Sequence, residues 1–122
     1  MNQSDNPLVV LDDDKIMHLL LRKRINLLGI KSNLKFFDQA SEALDFLAGT
    51  PKALVISDLN LGDMEAWEFL DSLFSQGFQG KFYLMTSSII NSDLVRANDD
   101  SRVSGFFEKP LTEDVLIQIL DA

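Results

Sequence analysis

Two carboxylates, Asp12 and Asp13, follow the aliphatic run Leu8-Val9-Val10-Leu11, and a third, Asp58, follows Leu54-Val55-Ile56-Ser57. Thr86 comes directly after Leu84-Met85, and Lys109 comes two residues after Gly105-Phe106-Phe107. Carboxylates held close together repel, which raises their pKa values and costs the fold stability unless a cation stands among them. A hard divalent ion answers that need: Mg²⁺, or Mn²⁺ in its place, takes oxygen ligands and typically uses one or two carboxylates with a phosphate oxygen. Asp13, Asp58 and the backbone carbonyl of Asn60 are the candidate protein ligands, with Asp12 acting through water. A carboxylate is also a competent nucleophile toward phosphorus, giving an aspartyl phosphate when the transferred oxygens are neutralised. Lys109 and Thr86 offer the ammonium and the hydroxyl for that task.

These residues are far apart in the chain, so the fold must gather them. Leu8–Leu11, Leu34–Phe37, Ala53–Ile56, Phe82–Met85 and Gly105–Phe107 read as five strands, and their continuous aliphatic runs suit parallel strands covered on both faces. Ile16, Leu19, Leu20, Lys23, Leu27 and Leu28 recur near a 3.6 spacing and predict a first helix, with Asp14 as N-cap and Gly29 as its stop. A second helix is expected over Ala40–Ala48. A third carries Met64, Trp67, Phe69, Leu70 and Phe74, and ends in the Gly77–Gly80 stretch. A short polar fourth helix is marked by Leu94 and Val95, with 98–104 expected as loop; the last runs from about Thr112 to Leu120. The sum is an α/β doubly wound five-stranded parallel sheet flanked by five helices. Ligands of such sheets bind beyond the carboxyl ends of the strands where strand order reverses, which is where the five polar residues would meet.

Length and composition narrow the function. A chain of 122 residues holds one domain, spanning 1–122, with residues 1–6 expected to be a disordered tail. Its 46% apolar content and nine Phe suffice for a buried core. A net charge of -8 opposes nucleic acid and anionic membrane surfaces as partners. The absence of Cys removes disulfides, thiolate metal sites and a cysteine nucleophile, and a cytoplasmic location is expected. The six Gly form neither a G-x-G-x-x-G nor a Walker pattern, which argues against nucleotide hydrolysis and dinucleotide redox chemistry.

Four segments in order, Val9–Asp13, Leu54–Asn60, Leu84–Ser87 and Gly105–Pro110, resemble the receiver domain of two-component response regulators, a flavodoxin-like fold, over the whole chain. The resemblance implies a phosphoacceptor of a two-component or phosphorelay system, of the stand-alone chemotaxis type: a signalling switch and not an enzyme in the ordinary sense. Asp58 would take a phosphoryl group from a histidine kinase or phosphotransfer protein. Asp12 and Asp13 would hold Mg²⁺, and Thr86 and Lys109 would contact the phosphoryl group. It further implies a cis peptide between Lys109 and Pro110, and a switch in which Thr86 and the aromatic Phe106 rearrange and alter a surface for a downstream protein. Asn60 and Ser88 lie where the family tunes the lifetime of the phosphorylated state.

The sequence departs from that family in places. Gly62 stands where Pro is frequent and Ala66 where Gly is frequent, which leaves the path of the loop after Asp58 open. The polar stretch 98–102 lacks the usual small apolar residues. The last helix carries Val115, Leu116, Ile117, Ile119 and Leu120, which cannot share one stripe, so part of that surface is expected outward, as a partner or homodimer site. Lone His18 reads most simply as a surface or boundary residue. Trp67 and Phe69 read as packing residues, and Arg22-Lys23-Arg24 as a solvated face. Two rival functions remain: a phosphatase resembling the haloacid-dehalogenase group, with Asp12 of Asp12-Asp13-Asp14 as nucleophile, and a pseudo-receiver that binds partners without phosphorylation.

Overall fold

The computed structural model describes residues 7–29 and 33–121; the expected tail at 1–6 lies outside them. Strands β1 (Leu8–Leu11), β2 (Leu34–Phe37), β3 (Leu54–Asp58), β4 (Lys81–Thr86) and β5 (Val103–Glu108) alternate with helices α1 (Lys15–Leu27), α2 (Ala40–Ala48), α3 (Ala66–Ser75), α4 (Asn91–Asp99) and α5 (Glu113–Asp121). The strands form one parallel sheet in the order β2-β1-β3-β4-β5. The expected α/β doubly wound architecture is therefore observed, and its strand order reverses between β1 and β3.

Alternate strand residues feed two cores. Val9, Leu11, Val55, Phe82 and Leu84 pack with Leu47, Phe69, Leu70 and Leu73 of α2 and α3. Leu8, Val10, Ile56, Tyr83 and Met85 pack with Leu21 and Ile25 of α1 and Leu116 and Ile119 of α5. Both faces of β1, β3 and β4 are thus sealed, and β1 and β3 present Asp12, Asp13 and Asp58 from this packed base.

Asp14 caps α1 by accepting from the Ile16 and Met17 N–H groups at 2.9 and 3.4 Å, and Gly29 ends it at φ +71°, a left-handed conformation glycine adopts without a steric penalty. The buried stripe of α1, however, is Met17, Leu21 and Ile25, whereas Ile16, Leu19 and Leu27 of the expected stripe are 67–78% exposed. The helix carries two apolar stripes on nearly opposite faces, and a 3.6 period identifies both without choosing between them. In α5, Leu116 and Ile119 are buried, Val115 and Leu120 are half-buried, and Ile117 turns outward.

Residues 98–104 are more regular than the polar sequence suggested: Asn98 and Asp99 complete α4, and Val103 and Ser104 begin β5. Arg102 supplies the order that apolar packing would otherwise give. Its guanidinium bonds Asp100 at 2.9 and 2.7 Å and Asp71 of α3 at 3.0 Å, while its backbone N–H donates to Asp100 Oδ1 at 3.0 Å. Met64 lies ahead of α3 and not within it.

The loop after Asp58 is fastened to a neighbouring helix. Gln39, at the N-terminus of α2, offers no side-chain cap, and Asp63 takes over, accepting from the Ala40 and Ser41 N–H groups at 2.9 and 3.1 Å. The Asp63 pKa is lowered: burial is the largest single influence and pushes it up, but the hydrogen bonds from the Ala40 and Ser41 N–H groups, its own N–H and the Ser41 hydroxyl together outweigh it. Asp63→Ala is expected to lower unfolding stability in urea by about 1 kcal/mol at pH 7, the usual worth of a cap. A carboxylate with a depressed folded pKa stabilises above its unfolded pKa and loses that effect as pH falls through the folded one, so mutant and wild type should converge in acid.

Candidate functional site

The carboxyl ends of β1, β3 and β5 bring Asp12, Asp13, Asp58 and Lys109 together. The Lys109 ammonium bridges two carboxylates, 2.9 Å from Asp12 Oδ2 and 3.2 Å from Asp58 Oδ2. Asp12 is fully buried and its polar atoms are all engaged. Its N–H donates to the Phe37 carbonyl at 3.1 Å, its Oδ1 accepts from the Asp14 N–H at 2.9 Å, and its carbonyl accepts from His18 Nε2 at 2.6 Å. Asp58 is 8% exposed and reaches the pocket mouth, and Asp13 is exposed. Ser57, also buried, donates its hydroxyl to the Asp58 carbonyl at 2.9 Å.

These groups perturb one another in a definite order. Burial raises the Asp58 pKa most, the Asp12 charge adds to it, and Lys109 and the Asn60 N–H partly counter both. Burial alone would lower the Lys109 pKa, but its hydrogen bonds and charge contacts with Asp12 and Asp58 outweigh that and raise it.

One carboxylate oxygen from each of Asp12, Asp13 and Asp58 lies within 4.8 Å of the others. Hard oxygen donors, net negative charge and an open mouth at Asp13 suit Mg²⁺ or Mn²⁺. Asn60 follows on the same loop, where its backbone pairs with Glu65 as an isolated antiparallel bridge. With the Ala66 N–H donating to the Leu59 carbonyl at 3.2 Å, that bridge sets the loop path that Gly62 and Ala66 left open.

Thr86 is buried at the end of β4, but its hydroxyl is turned to its own loop, donating to the Ser88 carbonyl at 3.2 Å and accepting from the Ser88 N–H at 3.4 Å. It lines a cavity of about 340 Å³ together with Asn60, Glu65, Trp67, Ser88 and Asp93. The Thr86 backbone carbonyl accepts from the Lys109 N–H at 2.7 Å, which ties β4 to β5 beside the site. The following Lys109-Pro110 peptide is cis. Phe106 is half-buried against the core on the α3 side of the sheet. Trp67 and Phe69 are core residues, and the Arg96 guanidinium covers the Trp67 ring at 4.3 Å. Arg22 and Arg24 of the basic cluster are engaged within the fold, Arg22 4.7 Å above the Phe36 ring and Arg24 on the Leu111 carbonyl. Sequence reasoning missed the roles of His18 and Asp63; both bond backbone atoms, His18 across the turn from β1 to α1 and Asp63 at the start of α2, and no motif spacing announces that.

A model of the response regulator receiver domain matches residues 8–121, and the chain belongs to that family. Among solved structures, it is similar to a two-component response regulator from Cytophaga hutchinsonii, with 25% identity over 95% of this chain and 94% of that one, at TM-score 0.84. Chemotaxis protein CheY4 of Vibrio cholerae shares the fold at 18% identity and TM-score 0.78, over 97% of this chain and 98% of that one. So does a Burkholderia pseudomallei response regulator, whose structure contains a phosphorylated aspartic acid and a calcium ion, at 21% identity and TM-score 0.76, over 95% and 66% of the two chains. No curated protein matches at the level of sequence.

Proposed function

We propose that this receiver domain is a phosphoacceptor switch in which Asp58 is the residue phosphorylated. The observation that carries the reading is the Lys109 bridge between Asp12 and Asp58, with Asp13 beside it at the open mouth. Asp12 has both carboxylate oxygens committed and no exposure, so the nucleophile of the phosphatase alternative is enclosed, whereas Asp58 reaches solvent. An Asp58 oxygen attacks phosphorus, the bond from phosphorus to the donor atom breaks, and the departing group takes the electron pair. Lys109 lies where it can follow the charge onto the transferred oxygens. Mg²⁺ held by Asp12, Asp13, Asp58 and the Asn60 carbonyl would neutralise charge on the phosphoryl group when bound.

Receiver domains exchange phosphoryl groups with histidine kinases or phosphotransfer proteins, and one of these is the proposed donor. The hydroxyl of Thr86 is bonded only to Ser88 among the described residues, so it can turn toward a phosphorylated Asp58 without breaking a bond to the site. That movement, together with a rearrangement of Phe106, would change the surface of α4, β5 and α5 offered to a downstream protein; Ile117 on α5 and Val95 on α4 give this surface apolar character, for a target or a second copy. Among the described residues no helix is long and apolar enough to cross a membrane, and cytoplasmic signalling without nucleic acid is the proposed setting.

Intact-mass measurement after incubation with acetyl phosphate and Mg²⁺ tests the reading. Wild type is expected to gain one phosphoryl group and Asp58→Ala none. No gain in wild type, or an undiminished gain in Asp58→Ala, overturns it.

A further inference from the structure

His18 is six residues beyond Asp12, half-buried on α1, and bonded through Nε2 to the Asp12 carbonyl at 2.6 Å. A carbonyl only accepts, so Nε2 carries the hydrogen and donates. The ring is also held from the side, because Phe36 of the edge strand β2 packs against it at 4.9 Å and Arg22 sits over that same Phe36 ring at 4.7 Å. The histidine is therefore a donor braced by Phe36 of β2 and pointing at one backbone oxygen.

That oxygen belongs to the peptide joining Asp12 to Asp13. Asp12 is secured independently by Phe37, Asp14 and Lys109. The Asp13 side chain, in contrast, has no hydrogen bond or ion pair among the described residues, and it is exposed. Among the described residues only its own backbone directs it, and that backbone starts from the Asp12-Asp13 peptide. The His18 hydrogen bond holds that peptide at its oxygen.

We infer that His18 is a positioning residue for divalent-cation binding: it presets the Asp13 carboxylate toward Asp12 and Asp58, so the ion does not have to order the acidic turn as it binds. This rests on the cation reading of the acidic pocket and deepens it. Supports behind metal ligands typically change affinity by about 10- to 100-fold. His18 acts one peptide removed from the ligand, so an effect of roughly three- to tenfold is expected, the order of a preorganisation gain.

The test is the affinity of the purified full chain for Mn²⁺, read from the electron paramagnetic resonance signal of the free ion, in wild type, His18→Gln, His18→Asn, His18→Leu and Asp13→Ala. Gln places its Nε2 close to the position of the histidine Nε2 and should bind within about twofold of wild type. Asn is too short to reach Asp12 and Leu cannot donate; both should bind roughly three- to tenfold more weakly. A purely packing role for His18 would separate Leu from Asn and would lower melting temperature without this affinity pattern. Equal affinity in all three His18 variants and wild type overturns the inference alone, as does equal weakening in Gln and Asn. Undetectable Mn²⁺ binding in wild type, or unchanged binding in Asp13→Ala, overturns the cation reading and the inference with it.

Discussion

Lys109→Met is expected to destabilise the protein at pH 7 by about 3 kcal/mol, the usual cost of removing one partner from a buried ion pair and leaving the other charge uncompensated. Methionine keeps most of the length and apolar surface of the lysine stem, so the loss measures the ammonium and not a cavity. The carboxylates left behind are Asp12, fully buried, and Asp58, which already suffers from burial and from the charge of Asp12. The Lys109 pKa is raised, so its contribution is present in full below the ordinary lysine range and is lost only as pH rises through the folded value. Urea unfolding at pH 7 should therefore show the full difference. Added Mg²⁺ should restore part of it, since an ion that binds only the folded acidic pocket stabilises by mass action. The same variant is expected to lose about 100-fold in the rate of phosphorylation by acetyl phosphate, the scale seen when one preorganised charge-stabilising group is removed. A mutant within about 0.5 kcal/mol of wild type, the range of an ordinary surface change, would show that the two hydrogen bonds carry little net weight.

The parts of this site that a sequence reveals are those fixed by strand ends. Asp12, Asp58, Thr86 and Lys109 each follow an apolar run, and once the sheet is parallel all four must lie at one edge of it. The two faces of α1 were not legible, because Ile16, Leu19 and Leu27 satisfy the same period as the buried Met17, Leu21 and Ile25. Only packing against β1, β3 and α5 separates them. The order of 98–104 was likewise hidden, since it comes from Arg102 joining Asp100 to Asp71 across 31 residues of sequence, and not from an apolar pattern. Asp63 caps a helix that precedes it by more than 20 positions, which no local capping rule anticipates. What escapes sequence reading here is the set of side chains that bond to groups distant in the sequence, the Asp71 carboxylate for Arg102 and the Ala40 and Ser41 N–H groups for Asp63.

Asp58→Asn should stabilise the metal-free protein at pH 7 by about 1 kcal/mol, a typical gain from relieving a functional compromise. The amide keeps the shape of the carboxylate and can still accept from Lys109, while the repulsion against Asp12 disappears. The wild-type Asp58 pKa is raised by burial first and by Asp12 second. The folded protein therefore binds this proton more tightly than the unfolded chain, and stability falls as pH rises from the ordinary carboxylate range through the folded pKa. Above that value wild type carries the full penalty, and the advantage of Asn is greatest. Below the ordinary carboxylate range Asp58 is protonated in both states, so melting temperatures of the two proteins should converge there. Saturating Mg²⁺ should reverse the order at pH 7, because the ion neutralises the charge that Asn lacks. An Asn variant no more stable than wild type at pH 7 without metal would mean that Lys109 already compensates Asp58 in full. The expected result instead makes Asp58 a carboxylate whose charge Lys109 compensates only in part, so that the folded pocket gains stability when a divalent cation binds beside it.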